Sequence, residues 1–262
     1  MGSLAGKSLA NTYKSLLKVA DETNGVSGSL SNVEDGEGTS SSLNVSNSQT
    51  RINPNTNTTA TFRVNTADNT NLFIVDTNNS LVKVGTSQVS ATTQLLTFSC
   101  FRLIPTGAGN HMFVPVHGMA EFGTNQAQEL ANGGGTDPNT SVDKGATTDD
   151  TVNMLFNVPF NMTIDAVKVF ASTDQDTDCT LNYHVMSYDM VADGTTNDGN
   201  LSNGTVLADG QATSVDRNVI KSTDLTIQNS SVTSGKVIAC FVENETNTDD
   251  INLQVQVKYH IA

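Results

Sequence analysis

The sequence predicts an all-β protein with a thin N-terminal segment and a larger antiparallel sandwich behind it. Three observations carry that prediction. Ser, Thr and Asn supply 88 of the 262 residues, and such side chains bond to nearby backbone, favouring turns, caps and strands over helix interiors. Several segments alternate apolar with polar residues, the period of a half-buried strand. Near residue 90 the apolar residues change from isolated positions to long strand-like runs. The chain has five prolines and 20 glycines, too few for a collagen-like repeat. The regular alternation argues against disorder.

Residues 1–25 form the first region. Leu9, Tyr13, Leu16, Leu17 and Ala20 fall at helical spacing behind Ser3, a suitable N-cap. One reading is a short helix; the other is a shorter helix followed by a strand at 16–19, and propensity leaves both open. Asp21-Glu22-Thr23-Asn24-Gly25 ends either one.

Residues 26–90 read as a β-rich stalk. Leu30, Val33, Leu43, Val45 and Ile52 are widely spaced, which gives short strands and little core. Three more strands are expected at 61–65, 71–76 and 81–85, with turns at Asp68-Asn69 and Thr77-Asn78-Asn79. Asn tolerates positive φ, so Asn78-Asn79 marks a hairpin. Burial contributes ~25 cal/mol per Å², while each ordered backbone residue costs ~1–2 kcal/mol. About a dozen apolar side chains cannot offset nearly seventy ordered residues. With no cysteine in this region and no convincing metal site, association between chains is the remaining route.

Residues 91–262 carry the larger domain. Strands are expected at 95–104 and 111–117, then a loop at 123–150, then strands at 152–160, 162–171 and 179–188. A turn-rich stretch at 192–209 precedes a strand at 225–228 and two more at 235–242 and 251–261. In the last, Ile251, Leu253, Val255, Val257, Tyr259 and Ile261 face one way; Asn252, Gln254, Gln256, Lys258 and His260 face the other. Residues 237–242 are apolar on both faces and belong in mid-sheet or beneath a neighbouring chain. About eight strands at this spacing suggest a sandwich of jelly-roll type.

Asp and Glu outnumber Lys and Arg by 27 to 13, and residues 89–262 hold 20 acids against seven bases. A phosphate backbone repels such a surface, so nucleic acid is not an expected partner. Residues 1–20 are the reverse, with Lys7, Lys14 and Lys18 and no acid, and could dock on an acidic partner. Cys100, Cys179 and Cys240 are far apart and lie in apolar strand patterns, where a reduced cysteine packs as a small hydrophobe. No leader-like stretch and no apolar run near 18 residues is present, so neither secretion nor membrane insertion is expected.

Chemistry-bearing patterns are few. Asp174-Gln175-Asp176-Thr177-Asp178 opens like a calcium loop, yet Cys179 and Val185 stand where such a loop needs glycine and glutamate. The Asp174, Asp176 and Asp178 turn therefore reads as a solvated hairpin tip, with ion binding left open. His111 and His117, ~20 Å apart along one strand, are too distant to share a metal. His184 and His260 lie within alternating strands without a partner in the sequence. No Gly-x-Ser-x-Gly occurs; Gly25-Val26-Ser27-Gly28 has the wrong spacing. The chain has no tryptophan, so stacking platforms for strong sugar binding are scarce. No catalytic, cofactor-binding or metal-ligating residue is assigned, and an enzyme is not expected.

Three segments in order remain: Tyr13-Lys14-Ser15-Leu16-Leu17-Lys18-Val19, then Asp35-Gly36-Glu37-Gly38-Thr39-Ser40-Ser41-Ser42-Leu43, then Leu72-Phe73-Ile74-Val75-Asp76. Together they resemble the N-terminal part of fibre and adhesin-like virion proteins of tailed bacteriophages, marine ones especially. The resemblance implies a homotrimeric tail fibre or short tailspike, assembled in the host cytoplasm and located in the virion. Residues 1–25 would attach to a tail or capsid protein, 26–90 would trimerise, and the 91–262 head would meet a host-surface glycan or protein. Loops 123–150 and 191–209 are the contact candidates, since loops on a rigid sandwich carry recognition. A capsid decoration protein, head fibre or tail adaptor without receptor work fits the same features.

Overall fold

Alternation of apolar and polar residues with frequent Asn, Asp and Gly turns gives short antiparallel strands, and the structure is built from them. It is a computed structural model that describes residues 16–21, 23–87, 89–105, 107–116, 134–142, 152–192 and 199–262. Among these, the regular elements are β-strands apart from one 3-10 turn at Val152–Met154. The chain divides into two units, Met1–Ala91 and Thr92–Ala262.

The first unit holds two four-stranded antiparallel meanders. One runs β1 (Lys18–Val19), β2 (Ser31–Glu34), β3 (Ser40–Val45), β4 (Thr50–Ile52); the other β5 (Phe62–Asn65), β6 (Asn71–Asp76), β7 (Leu81–Val84), β8 (Val89–Ser90). Of the helix considered for the first twenty residues, 1–15 lie outside the described residues. At 16–19 the strand reading holds over two residues, Lys18 and Val19 pairing with Glu34 and Val33.

Asp35-Gly36-Glu37-Gly38 forms the β2–β3 turn. The Asp35 carboxylate accepts the amides of Glu37 (2.9 Å) and Thr39 (2.8 Å), which holds its pKa below the usual range, the Thr39 bond weighing most. Gly38 takes φ +85°, a left-handed value that suits glycine. In the β6–β7 hairpin the left-handed residue is Ser80 and neither Asn78 nor Asn79. Asn79 serves the turn differently, donating its backbone amide and side chain to Asp76 at 3.0 and 2.9 Å.

Asp76 is fully buried and also receives Lys83 Nζ at 2.7 Å. That bond first, then Asn79, depresses its pKa to about 2. Its folded pKa lies below the unfolded value, so its contribution is complete above about pH 4 and is lost as pH falls towards 2. Hydrogen exchange should show hairpin amides 77–81 opening over that window. Asp76→Asn should bring the same faster exchange at neutral pH, because Lys83 then loses its counter-charge.

Register decides what the second meander shows to its surroundings. Phe62 pairs with Val75, Val64 with Phe73, Phe73 with Val84, Val75 with Val82, and Val84 with Val89. Directly paired residues share a face, so these seven side chains form one apolar patch, bordered at one end by the paired Asn65 and Asn71. Phe62, Val64, Val82, Val84 and Val89 on it are 37–47% exposed. The other face is mixed, carrying Arg63, Asp76 and Lys83 with Leu72, Ile74 and Leu81. Ile74 is the buried hydrophobic residue of the whole unit among the described residues.

The second unit is a sandwich of two antiparallel sheets. One has the order β10 (His111–Val114), β18 (Val237–Asn244), β13 (Cys179–Met190), β14 (Leu201–Val215), β16 (Thr226–Ile227), with β11 (Leu155–Asn157) also on β18. The other runs β15 (Lys221–Asp224), β12 (Met162–Thr173), β19 (Ile251–Ile261), β9 (Thr93–Leu103), with β17 (Ser231–Val232) also on β12. One continuous core fills the space between them. The alternation of β19 is literal, Ile251, Leu253, Val255, Val257 and Tyr259 being buried. β18 is buried along its whole length in mid-sheet, between β13 and β10 with β11. All three cysteines are free and buried; burial pushes Cys100 up to about 12 and Cys240 well above the ordinary thiol value.

Two expected elements differ. Instead of a strand over 152–160, the chain makes the 3-10 turn and the three-residue β11. The stretch 192–209, expected to be turn-rich, supplies the first half of β14, the longest strand described at 15 residues. Gly204 and Gly210 look like turn punctuation but serve packing, while Asn203 takes the left-handed φ of +53° and donates Nδ2 to Asp189 at 2.8 Å. A Cβ at Gly204 would lie 2.5 Å from Tyr188 Cε1, and one at Gly210 would lie 2.8 Å from Leu225 Cδ2. Glycine is there for close approach, and the β13–β14 register shifts at three places along the pair.

Candidate functional site

The outer face of the six-stranded sheet carries a polar row where an ordinary sandwich strand would meet solvent. His111 pairs with Glu243, Glu243 with Asn182, and Asn182 with Gln211, so four strands each place one polar side chain in line. Gln211 Nε2 donates to Asn182 Oδ1 at 2.8 Å. Asn182 Nδ2 in turn donates to Glu243 Oε2 and Glu245 Oε1, both at 2.7 Å. Glu243 Oε2 lies 3.5 Å from His111 Nε2.

One register step along, Phe241 pairs with His184 and His184 with Asp209. The His184 ring stands edge-on to His111, with centroids 4.9 Å apart. His184 is 4% exposed, and neither ring nitrogen has a hydrogen-bond partner. The nearest acid, Asp137, keeps its Oδ1 3.7 Å from Nδ1, too far for a hydrogen bond. Burial first and the His111 ring second hold the His184 pKa down to about 4, against an opposite pull from Asp137 and Asp209. The ring is therefore neutral at neutral pH, with one nitrogen a donor and the other an acceptor.

The strand positions explain the row, and the segment 134–142 explains its burial. Asn139 O accepts the Tyr188 hydroxyl at 2.9 Å, Thr140 O accepts the amide of Gly204 at 2.8 Å, and Val142 bridges Leu201. This segment lies over Tyr188 and Gly204 and reaches the polar row at Asp137, beside His184. Beside it is a pocket of about 230 Å³, lined by His184, Asn182, Asp209, Gln211 and Glu245 with Thr136, Asp137 and Gly210. Asp209 accepts Gln228 Nε2 at 2.9 Å. No lysine or arginine lines the pocket among the described residues.

The sequence singled out neither this pocket nor its set of residues. His111 and His184 drew attention one by one, but His117 lies outside the described residues. His260 sits elsewhere, Nδ1 2.8 Å from Asp165 Oδ1. The available signal was Glu243-Asn244 continuing the apolar run of β18, since a carboxylate directly after six apolar residues is buried with them. The Asp174, Asp176 and Asp178 turn joins β12 to β13. Its Asp176 carboxylate is gripped by Arg217 through Nε (2.6 Å) and a terminal nitrogen, and by Asn218 Nδ2 at 2.7 Å. Asp174 Oδ1 accepts the amide of Asp250 at 3.1 Å. Asp174 and Asp176 are thus engaged by the protein itself. Among the described residues no three His, Cys, Asp or Glu side chains converge to hold a metal ion. Of loop 123–150 only 134–142 is described, packed back on the sheet. Of loop 191–209, residues 193–198 lie outside the described residues, and from Leu201 the chain already belongs to β14.

The fold and site define an all-β chain of two units, the second a β-sandwich with a polar pocket on one outer face. No protein-family model matches the chain, and the curated proteins give no match. Among solved structures it is similar to the N-terminal CBM22-1 and GH10 modules of endo-1,4-β-D-xylanase 10B from Clostridium thermocellum, complexed with xylohexaose. The identity is 15%, the match covers 40% of this chain and 17% of that one, and the TM-score is 0.23. A likeness that slight carries no argument about activity.

Proposed function

We propose that this chain is the subunit of a homotrimeric virion fibre or short tailspike, a non-enzymatic structural protein. Residues 1–25 attach it to the particle, and the 92–262 sandwich contacts the host surface. The observation that carries the reading is the apolar face of the second meander, Phe62, Val64, Phe73, Val75, Val82, Val84 and Val89, left substantially uncovered in a single chain. Sheets of soluble proteins do not leave a continuous apolar face to water. Copies of the same segment are the occupant that also supplies matching apolar faces, and the resemblance to phage fibres sets the number at three.

Strand order supports the jelly-roll reading of the head. Counting β9, β10, β12, β13, β14, β15, β18 and β19 as one to eight, the sheets run 1-8-3-6 and 2-7-4-5. That is the connectivity of two interleaved Greek keys. Light scattering on the purified chain should give the mass of three copies, unchanged by dilution. A single-copy mass would remove the fibre reading.

A further inference from the structure

We propose that the pocket beside His184 binds a small organic cation through a primary ammonium group. The claim rests on charge, unused hydrogen-bonding capacity and spacing, and it stands apart from the fibre reading because every residue involved lies in the sandwich. Asp137, Asp209 and Glu245 line the pocket and Glu243 lies directly behind Asn182, while no basic side chain lines it among the described residues. Four carboxylates against a neutral imidazole make the pocket electronegative, and low-dielectric walls concentrate that field. An anionic ligand is repelled.

His184 supplies the independent indication of a ligand. It is buried, lines the pocket, and has two ring nitrogens without hydrogen-bond partners. Leaving such a group unsatisfied is costly, roughly 1–3 kcal/mol. An ammonium group carries three donors: two suit Asp209 and Glu245, and the third suits the acceptor nitrogen of His184. Those charge-assisted bonds are the strong kind. A bare metal ion fits less well, because no three acidic or imidazole side chains among the described residues converge to coordination distance. A volume of about 230 Å³ takes one small ring or a short alkyl chain.

The test uses the full-length chain and three sugars with one ring shape and three charges. Ligand-observed NMR with glucosamine, glucose and glucuronate at near-neutral pH separates charge from hydroxyl recognition. Glucosamine should show saturation transfer that fades as salt rises, while glucose and glucuronate show none. Asp209→Asn and Glu245→Gln should each weaken glucosamine roughly tenfold, the loss of one charge-assisted bond. His184→Gln should weaken it too. Asp209 is only half-buried, so a folded Asp209→Asn chain keeps the test decisive if His184→Gln misfolds. Equal binding of glucose, binding of none of the three, or an Asp209→Asn chain that binds glucosamine as before would each overturn the proposal. So would calcium chloride displacing glucosamine at equal concentration.

Discussion

A chain carrying Val84→Asp is expected to run in light scattering as a single copy where the parent runs as three. Val84 pairs with Phe73 on one side and Val89 on the other, in the middle of the apolar face of the β5–β8 sheet. The five most exposed side chains of that face each gain roughly 0.5–1 kcal/mol on full burial, about 4 kcal/mol per chain. A carboxylate placed in the same interface must be desolvated without a counter-ion, a penalty of several kcal/mol per chain. In a three-fold assembly the penalty falls on every copy, with three like charges brought together near one axis. Arg63→Glu is the control. Arg63 pairs with Ile74 on the opposite face, so that variant should keep the parent mass. If Val84→Asp assembled normally, the apolar face would not be the contact between copies.

Gly204→Ala is expected to produce the largest loss of stability in the sandwich from a single methyl group. The added Cβ would sit 2.5 Å from Tyr188 Cε1 and 2.8 Å from Thr140 Cα. Tyr188 has little room to retreat, because it is buried and its hydroxyl is bound to Asn139 O at 2.9 Å. The backbone of Thr140 is fixed by the amide of Gly204 itself, donated to Thr140 O at 2.8 Å. Overpacking of this kind costs about 2–3 kcal/mol. In a unit of this size that lowers Tm by roughly 5–10 °C in calorimetry. Gly135→Ala provides the comparison: its Cβ would meet only Asp137 O at 3.7 Å, an ordinary contact, and Tm should stay where it was. A Gly204→Ala chain that melts with the parent would mean the 134–142 segment is not seated on the sheet.

Parts of the fold were legible because local pattern and environment agreed. β6 and β19 were read to the residue: β6 is a short apolar run bounded by Asn71 and Asp76 ahead of a turn, and β19 keeps strict period-two alternation over eleven positions. The burial of β18 on both faces followed from six consecutive apolar residues. Where reading failed, a residue's usual meaning was overruled by a distant neighbour. Gly204 and Gly210 signal turns in isolation, yet Tyr188, Thr140 and Leu225 make glycine necessary there inside a strand. At the β6–β7 turn the sequence pointed at two asparagines, while the left-handed position fell on Ser80 and Asn79 was taken up by Asp76.

Composition and alternation by themselves determined that this chain is all-β, that its front is poor in core-forming residues, and that its back is a sandwich. Those properties depend on side chains one or two positions apart, which the order of residues states directly. Tertiary structure alone decided which apolar residues of the front share one bare face, because that depends on register between strands. It alone decided the pocket as well. His184, Asp209 and Glu245 lie on separate segments of the chain, and only pairing across the sheet brings the imidazole and the two carboxylates to one place.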